Sequence, residues 1–593
     1  MGTTLLPGNI PYMENKNTGS WKNNLCFMAD DGSNTDGFMT EHMEFADQLA
    51  GYVESEHPEF LVNKLYYDAY KKDMTAGTYP DVRSGLQKLL KDGLLLFNYT
   101  GHGGTTALSD EKVLTQTDIN QFTYTHLPVW VTATCDFTRF DDLNTSAGED
   151  VFLNKSSGGI ALFTTVRVAY SRPNFPINDN VIRNLFERNN GRRRTLGEVM
   201  QATKNTLSSV YKLGFCLIGD PAVKMAYPEF GMKVTTVNGQ SVDGNSISFK
   251  ALEKITVEGE VLDASGQLVT DFTGIVNPTV KDSKVTVTCL KNSNKDDSPA
   301  FTFTDYPNTV FIGNDSVRNG KFSFTFTVPK DISYSNLQGK MNLYAVDTES
   351  GNEAQGNFDN FIVGGTSDTA ETDTIGPEIR ALYLNDTTFV DGGQVNTTPY
   401  FVAELWDKSG VNITGSSVGH DMMLVIDEST VLSYNLNSYY ELLLGEDGTG
   451  IVKFPIPALE PGKHTAEFWV WDILNNSTVR TFTFEVVEGL KPFLFDVIAT
   501  PGIAREQVTF HLMHNRPESR MRVGIMVYDL AGRQLWKHEE SGTSGLFENY
   551  TVSWDLTSGG ARMRPGVYIY RAAISTDNSK DATKARKFII LGE

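Results

Sequence analysis

Two periodicities divide this chain. Between residues 23 and 226, short apolar runs alternate with segments whose apolar residues recur every three or four positions, and from about residue 229 onward every second position is apolar instead. In the first region the runs at 25–29, 61–67, 94–99, 129–134, 160–165 and 215–218 are strand-length. Met39, Met43, Ala46, Ala50 and Val53 put one apolar stripe on a helix, as do Leu196, Val199, Met200, Thr203, Leu207 and Val210. Strands alternating with helices predict an α/β domain built on a doubly wound, mostly parallel sheet with helices on both faces. In the second region, positions such as Phe322, Phe324, Phe326 and Val328 read as one buried strand face, with turn residues at short intervals. The Gly-, Ser-, Thr- and Asp-rich stretch 364–377 and the segment 488–492 are its expected seams.

The expected organisation is therefore an α/β domain over 1–228 followed by three all-β, immunoglobulin-like sandwich modules over 229–363, 375–488 and 490–593. In the last module, Val523, Ile525 and Val527 alternate before the turn Asp529-Leu530-Ala531-Gly532, and Val567, Ile569 and Arg571 alternate after Pro565-Gly566. Both read as hairpin arms.

Length agrees with several domains, since 593 residues exceed what one core organises. Fifty-one basic against 73 acidic side chains give a net charge of −22, which disfavours nucleic acid as a partner. The short run Arg192-Arg193-Arg194 reads as a solvated turn. No apolar run reaches the ~18 residues a membrane-spanning helix requires. Cys26, Cys135, Cys216 and Cys289 lie too far apart for a zinc or disulfide framework, and Cys26 and Cys216 read as small apolar side chains on core strands. The β modules carry neither a glycine-rich phosphate loop nor clustered metal ligands, so a structural or adhesive role is expected for them.

The candidate chemistry sits where strands leave the sheet at its carboxyl edge, because loops there converge on a crevice. The run 94–99 leads through Thr100 into Gly101-His102-Gly103-Gly104, and 129–134 delivers Cys135. A thiol reacts as its thiolate, and an imidazole beside it both favours that form and protonates a departing amine. His102 and Cys135 are thus a candidate catalytic pair, with the Gly103 and Cys135 backbone N–H groups as a candidate oxyanion hole. Taken singly, a cysteine at a strand end is more often an inert small hydrophobe, and a histidine beside glycines a loop hydrogen-bonder. Their joint placement on two strand ends favours catalysis.

Arg167, Thr165 and Arg139 lie near the same edge and are candidate substrate contacts, surface ion pairing being the alternative for the arginines. Asp141-Asp142 reads as a loop cap, and His420, next to Asp421, as a structural hydrogen-bonder. No metal ligand set is assigned, although Asp30-Asp31-Gly32 has the oxygen-rich look of a calcium-binding turn.

The motifs themselves carry a resemblance. Asn98-Tyr99-Thr100-Gly101-His102-Gly103-Gly104, followed by Ala133-Thr134-Cys135-Asp136-Phe137-Thr138-Arg139-Phe140-Asp141-Asp142, resembles the catalytic region of gingipain-type cysteine peptidases, which have a caspase-like fold. More narrowly, it is similar to the sortase branch that serves the type IX secretion system. The likeness begins at Trp21-Lys22-Asn23 and Ala29-Asp30-Asp31-Gly32, and continues through Ser146-Ala147-Gly148-Glu149, 158–167 and Gly219-Asp220-Pro221. Beyond the peptidase, Ser409-Gly410-Val411-Asn412, Gly419-His420-Asp421 and 471–477 resemble the β module of those sortases. Trp554-Asp555 and Gly566-Val567-Tyr568-Ile569-Tyr570-Arg571 resemble the sorting domain of substrates of the same system.

The resemblance implies a cell-surface enzyme of Bacteroidetes, peripheral to the outer membrane. Such an enzyme cuts the carboxy-terminal sorting domain from secreted cargo proteins and passes the new carboxyl end to anionic lipopolysaccharide through a thioester. An outer-membrane shuttle barrel and other surface attachment proteins are its implied partners, and it needs no cofactor. An acid orients the histidine in related peptidases. Asp30 and Asp31 qualify by region, as do Glu41 and Glu44, and the sequence does not choose among them. A signal peptide and a long region ahead of the peptidase are normal in the family, so an upstream part is expected to be missing. A secreted endopeptidase of the same fold and a catalytically inactive adhesin or scaffold are the alternative readings.

Overall fold

The six expected strands share one sheet. In the computed structural model, which describes residues 12–32, 40–122, 124–154, 157–292, 299–367, 373–415, 419–443, 448–576 and 579–591, they are β1 (Asn24–Ala29), β2 (Leu61–Tyr66), β3 (Leu96–Thr100), β4 (Val129–Ala133), β5 (Ala161–Thr165) and β6 (Phe215–Ile218). Their spatial order is β6-β5-β4-β3-β1-β2, parallel except for β6 against β5. Runs such as 25–29 are apolar throughout because the sheet is covered on both sides. Leu25, Phe27 and Ala29 join one core with α1 (Glu41–Glu56), α5 (Ser171–Phe186) and α6 (Leu196–Thr206). Cys26 and Met28 join the other with α2 (Pro80–Asp92), α3 (Gln116–Gln121) and α4 (Ala147–Leu153).

Several local expectations need correction. The helix stripe ending at Leu207 and Val210 stops earlier: α6 closes at Thr206, Leu207 is extended, and Val210 starts a separate 3-10 turn whose Ser209 hydroxyl accepts the Tyr211 N–H at 3.3 Å. Serine side chains bond the backbone locally in this way and so compete with helix continuation. Met39 lies outside the described residues. Cys26 is fully buried, and burial pushes its thiol up, but Cys216 is half-buried because β6 is an edge strand. Of the three arginines expected in a solvated turn, Arg192 pairs with Glu198 at the surface. Arg193 folds inward, bonding the Phe186 carbonyl and lying 4.2 Å over the Tyr227 ring.

The β segment after the α/β domain has its own core, formed by residues such as Val257, Phe324, Phe326 and Leu343. It also reaches back. The hairpin Val285–Thr288 with Thr302–Asp305 sets Phe303 4.7 Å from Tyr66 at the end of β2, and Phe303 and Cys289 are part of the α/β domain's core. Lys64 Nζ donates to the Thr304 carbonyl at 2.8 Å, and Asp68 accepts the Lys291 and Asn292 N–H groups at 2.9 and 2.7 Å. At a second contact Lys22 and Glu353 form an ion pair with both side chains only 1% exposed. The chain accordingly groups into two compact units rather than four, one holding residues up to 328 with 332–369, the other 329–331 with 370–593.

In the second unit, sheets of four and five strands enclose Phe401, Leu424, Phe468 and Phe484, and sheets of three and five strands enclose Phe510, Ile525, Tyr570 and Phe588. The strand Met521–Tyr528 pairs with both Gln534–Gly542 and Gly566–Ser575, and so is an interior strand of its sheet. Among the described residues, no helix is long and apolar enough to cross a membrane.

The Lys22–Glu353 pair yields a stability test. Burial pulls the Lys22 ammonium below its ordinary pKa, while Glu353 works against that shift. Removing one partner of a buried pair strands the other charge, whereas replacing both with apolar groups removes the desolvation cost as well. Glu353→Ala is expected to destabilise the first unit by about 3–5 kcal/mol in urea unfolding, and Lys22→Met/Glu353→Leu by markedly less. Equal losses in both variants would contradict this account of the contact.

Candidate active site

Neighbouring strands bring the reactive residues together. In register, Ala29 at the end of β1 lies beside Thr100 of β3, and Thr100 lies beside Ala133 of β4. Asp30, Gly101-His102 and Thr134-Cys135 therefore leave the sheet side by side at its carboxyl edge. The chain runs from β1 out to β2 and then crosses to β3 on the other side of β1. That reversal opens the crevice of a doubly wound sheet.

Asp30 is 2% exposed. Its Oδ2 accepts the His102 backbone N–H at 2.6 Å and meets His102 Nδ1 at 2.8 Å. Its Oδ1 accepts the Gly32 N–H at 3.3 Å and meets Nδ1 of His42, a residue in the first turn of α1. Burial alone would push this carboxyl up. The charges and hydrogen bonds of His42 and His102 outweigh it and hold Asp30 well below the usual carboxylate range. An ionised carboxylate only accepts hydrogen bonds, so both imidazoles donate from Nδ1. For His102 this leaves Nε2 as the ring nitrogen able to take up a proton.

The loop between β3 and the short hairpin at 103–108 is built around these contacts. Tyr99 Oη donates to the His102 carbonyl at 2.7 Å, and so does the Ser109 N–H at 2.9 Å. A Cβ on Gly101 would lie 2.5 Å from Tyr99 Oη and 2.7 Å from Asp30 Cγ, and one on Gly103 would lie 2.4 Å from Thr134 Oγ1. Gly103 faces Leu108 one step from the bonded pair His102 and Ser109, which makes it a non-hydrogen-bonded position whose N–H points away from the hairpin.

Cys135 is half-buried, with Sγ 3.5 Å from the Ala169 carbonyl. The Cys135 carbonyl accepts the Thr165 hydroxyl and the Phe137 N–H, and Asn174 Nδ2 holds the Thr134 carbonyl at 3.0 Å. Thr165 is thus not a substrate contact: it is 2% exposed and its hydroxyl fixes the Cys135 backbone. Arg167 is exposed and pairs through both terminal nitrogens with Asp141, at 3.1 and 2.5 Å. Arg139 lies between Asp136 and Asp142, at 3.4 and 3.6 Å. Exposed Val168 and Tyr170 flank Ala169 on the same rim.

Asp31 is turned away from His102. It accepts the Tyr79 hydroxyl at 2.6 Å and lies 3.3 Å from Lys72. Glu41 is bonded by Ser171 and by Arg172 Nε at 2.8 Å, and Glu44 by Thr40. Of the four acids in the region, Asp30 alone touches His102 among the described residues. His42 carries no local sequence signal for this contact, since it lies on a helix away from the strand ends and meets Asp30 only through the docking of α1.

Two side-chain groups could hold a metal ion by proximity. Asp30, His42 and His102 offer one atom each within 4.8 Å of one another, as do Asp373, Asp407 and Asp472. The second group gathers residues far apart in sequence, which corrects the expectation that the β modules lack clustered ligands. Its carboxylates cap turns: Asp407 accepts the Ser409 and Gly410 N–H groups, and Asp472 those of Leu474 and Asn476. Burial, with Asp472 and Asp373 adding to it, pushes Asp407 up to about 6. His420 bonds Asp331 at 2.7 Å rather than its neighbour Asp421.

Residues 8–226 match Peptidase family C25, the gingipain family. The amino-terminal domain is a family C25 cysteine peptidase domain. Among solved structures, dimeric latent PorU from Porphyromonas gingivalis is 26% identical over 96% of this chain and 64% of its own, with a TM-score of 0.31. The Arg-specific cysteine proteinase gingipain R is 18% identical over 60% of this chain and 70% of its own, also with a TM-score of 0.31. A complex of Porphyromonas gingivalis RgpB pro- and mature domains is 18% identical over 60% and 72%, with a TM-score of 0.30. This chain thus spans 64% of the length of the PorU chain. No curated protein matches it.

The family C25 site depends on Gly101 having no side chain. Gly101→Ala pushes a methyl group against Asp30 Cγ and Tyr99 Oη and so displaces the carboxylate from His102. The expected result is a fall in kcat on the order of 10²-fold, with KM and the thermal unfolding midpoint changed far less. A variant with wild-type kcat would contradict the placement of Asp30.

Proposed function

We propose that this chain is a cell-surface sortase of the type IX secretion system, working through Cys135 and His102. The observation that carries the reading is the Asp30–His102 pairing beside Cys135 within a family C25 domain. His102 Nε2 takes the thiol proton as Cys135 Sγ attacks the peptide carbonyl at the junction between cargo and sorting domain. The resulting oxyanion rests on the Gly103 and Cys135 N–H groups, each such donor being worth about 2.7 to 4 kcal/mol. His102 then gives its proton to the leaving amine, and the sorting domain departs with a new amino terminus.

Cargo is left as a thioester on Cys135. An amine of anionic lipopolysaccharide attacks that thioester, forms the new amide and returns the proton through His102 to the thiolate. Secreted cargo and the glycolipid are thus the two substrates, and an outer-membrane shuttle barrel with other attachment proteins is the proposed company at the cell surface. The β segments after the peptidase domain are read as immunoglobulin-like sandwich modules, the last of sorting-domain type. The sorting-type module fits either enzyme, and it is the likeness of the module carrying Asn475-Asn476-Ser477 that supports the sortase over an endopeptidase, in which water resolves the thioester.

The test is intact-mass analysis of a sorting-domain junction peptide incubated with the protein and glycine as a simple amine. Wild type is expected to join the cleaved peptide to glycine, Cys135→Ala to give no product, and His102→Ala to lose about 10²- to 10⁴-fold in rate. Cleavage ending only in free acid would replace transpeptidation by hydrolysis. Cleavage by Cys135→Ala would overturn the mechanism.

A further inference from the structure

We propose that His42 is a positioning residue of this site, acting on His102 through the far edge of the Asp30 carboxylate. The inference rests on the Cys135–His102 reading and extends it to a residue that no step of the reaction requires.

The argument starts from the torsion of an aspartate. Rotation of its carboxylate about χ2 is soft and roughly two-fold, so a carboxylate gripped through one oxygen defines its plane poorly. Asp30 is gripped through both. Oδ2 takes the two N–H donors of His102, and Oδ1 takes His42 Nδ1 and the Gly32 N–H. Without His42, one oxygen of a buried anion keeps only the 3.3 Å contact from Gly32 among the hydrogen bonds described. Such an oxygen gains by swinging toward a stronger donor, and any swing carries Oδ2 off His102 Nδ1.

The two imidazoles also touch directly. Their centroids are 4.8 Å apart with the planes at 76°, so an edge of one ring meets the face of the other and limits how far His102 can tip. His42 is well placed to impose this. Its side chain is 11% exposed against 31% for His102, and it projects from the first turn of a sixteen-residue helix whose buried stripe includes Met43, Ala46, Leu49, Ala50 and Val53.

Among the described residues, the ionisable groups at His42 are Asp30 after β1, His102 after β3 and Glu41 on its own helix, with Arg172 of α5 reaching Glu41. Glu41 is already committed to Ser171 and Arg172. Asp30 is therefore the carboxylate His42 serves, and α1 is coupled to the acid–base nitrogen of His102 through one shared anion.

The experiment compares three substitutions of His42 in the full chain. Asn places an amide N–H near the position of Nδ1, Gln places it nearer that of Nε2, and Ala removes the donor. His42→Ala and His42→Gln are expected to lower kcat on the junction peptide on the order of 10²-fold, with KM within a few-fold of wild type. His42→Asn is expected to recover most of the loss. In 15N-histidine-labelled protein the His102 Nδ1–H resonance should persist in His42→Asn and be lost or broadened in His42→Gln. Should His42→Ala fail to fold, the Asn and Gln variants decide the matter. Wild-type kcat and an unchanged His102 resonance in His42→Gln would overturn the proposal, as would losses that merely track the unfolded fraction in thermal melts. A wild-type protein that leaves the peptide uncut refutes the function proposed above, and the resonance comparison then still decides whether His42 holds Asp30 against His102.

Discussion

A buried negative charge organises this site. Carrying the Asp30 carboxylate into a nearly water-free position is costly unless donors surround it. The fold supplies them from three directions: the loop after β3, the first turn of α1 and the backbone just beyond β1. Most features of the crevice follow from that demand. Residue 101 must lack a side chain so that β3 can pass close to Asp30, and the His102 carbonyl is fixed by Tyr99 and Ser109 while its amide and ring face the carboxylate. The His102 imidazole is oriented because the anion beside it needs its protons.

The same economy of buried charge appears where the peptidase domain meets the β segment that follows it. Lys22 and Glu353 are withdrawn from water together, and Asp68 is capped by the backbone of residues 291 and 292. The hairpin carrying Phe303 covers Tyr66, so the β1–β2 edge of the sheet is completed by residues far downstream. The strand that leads into Asp30 is thus held on one side by β3 and the loop that follows it, and on the other by a neighbour that itself leans on the β segment.

The sheet was legible in the sequence because strands buried on both faces leave uninterrupted apolar runs, and Cys135 and His102 stood out as a candidate pair because both follow such runs directly. What was not legible depends on tertiary direction. Asp30 and Asp31 are adjacent and chemically identical, yet one turns to His102 and the other to Tyr79 and Lys72. His42 joins the site only through the way α1 docks on β1, which no local spacing encodes. Thr165 has the position of a substrate contact but is buried under Cys135, and Arg193 leaves a basic run to pack on Tyr227. Cys216 is more exposed than its apolar strand suggests because strand order, not composition, puts it at an edge. Asp373, Asp407 and Asp472 meet only after the β strands fold.

The central claim is that Asp30, and not its neighbour, sets the tautomer and direction of His102. It is tested most directly by the kcat of Asp30→Asn beside that of Asp31→Asn, on the same peptide and at one pH. An asparagine at 30 keeps the shape but can turn its amide toward Nδ1 and stabilise the wrong tautomer, so kcat should fall on the order of 10⁴-fold, while Asp31→Asn, whose side chain is turned to Tyr79 and Lys72, should lower kcat far less. Equal losses in the two variants, or an active Asp30→Asn enzyme, would contradict the account.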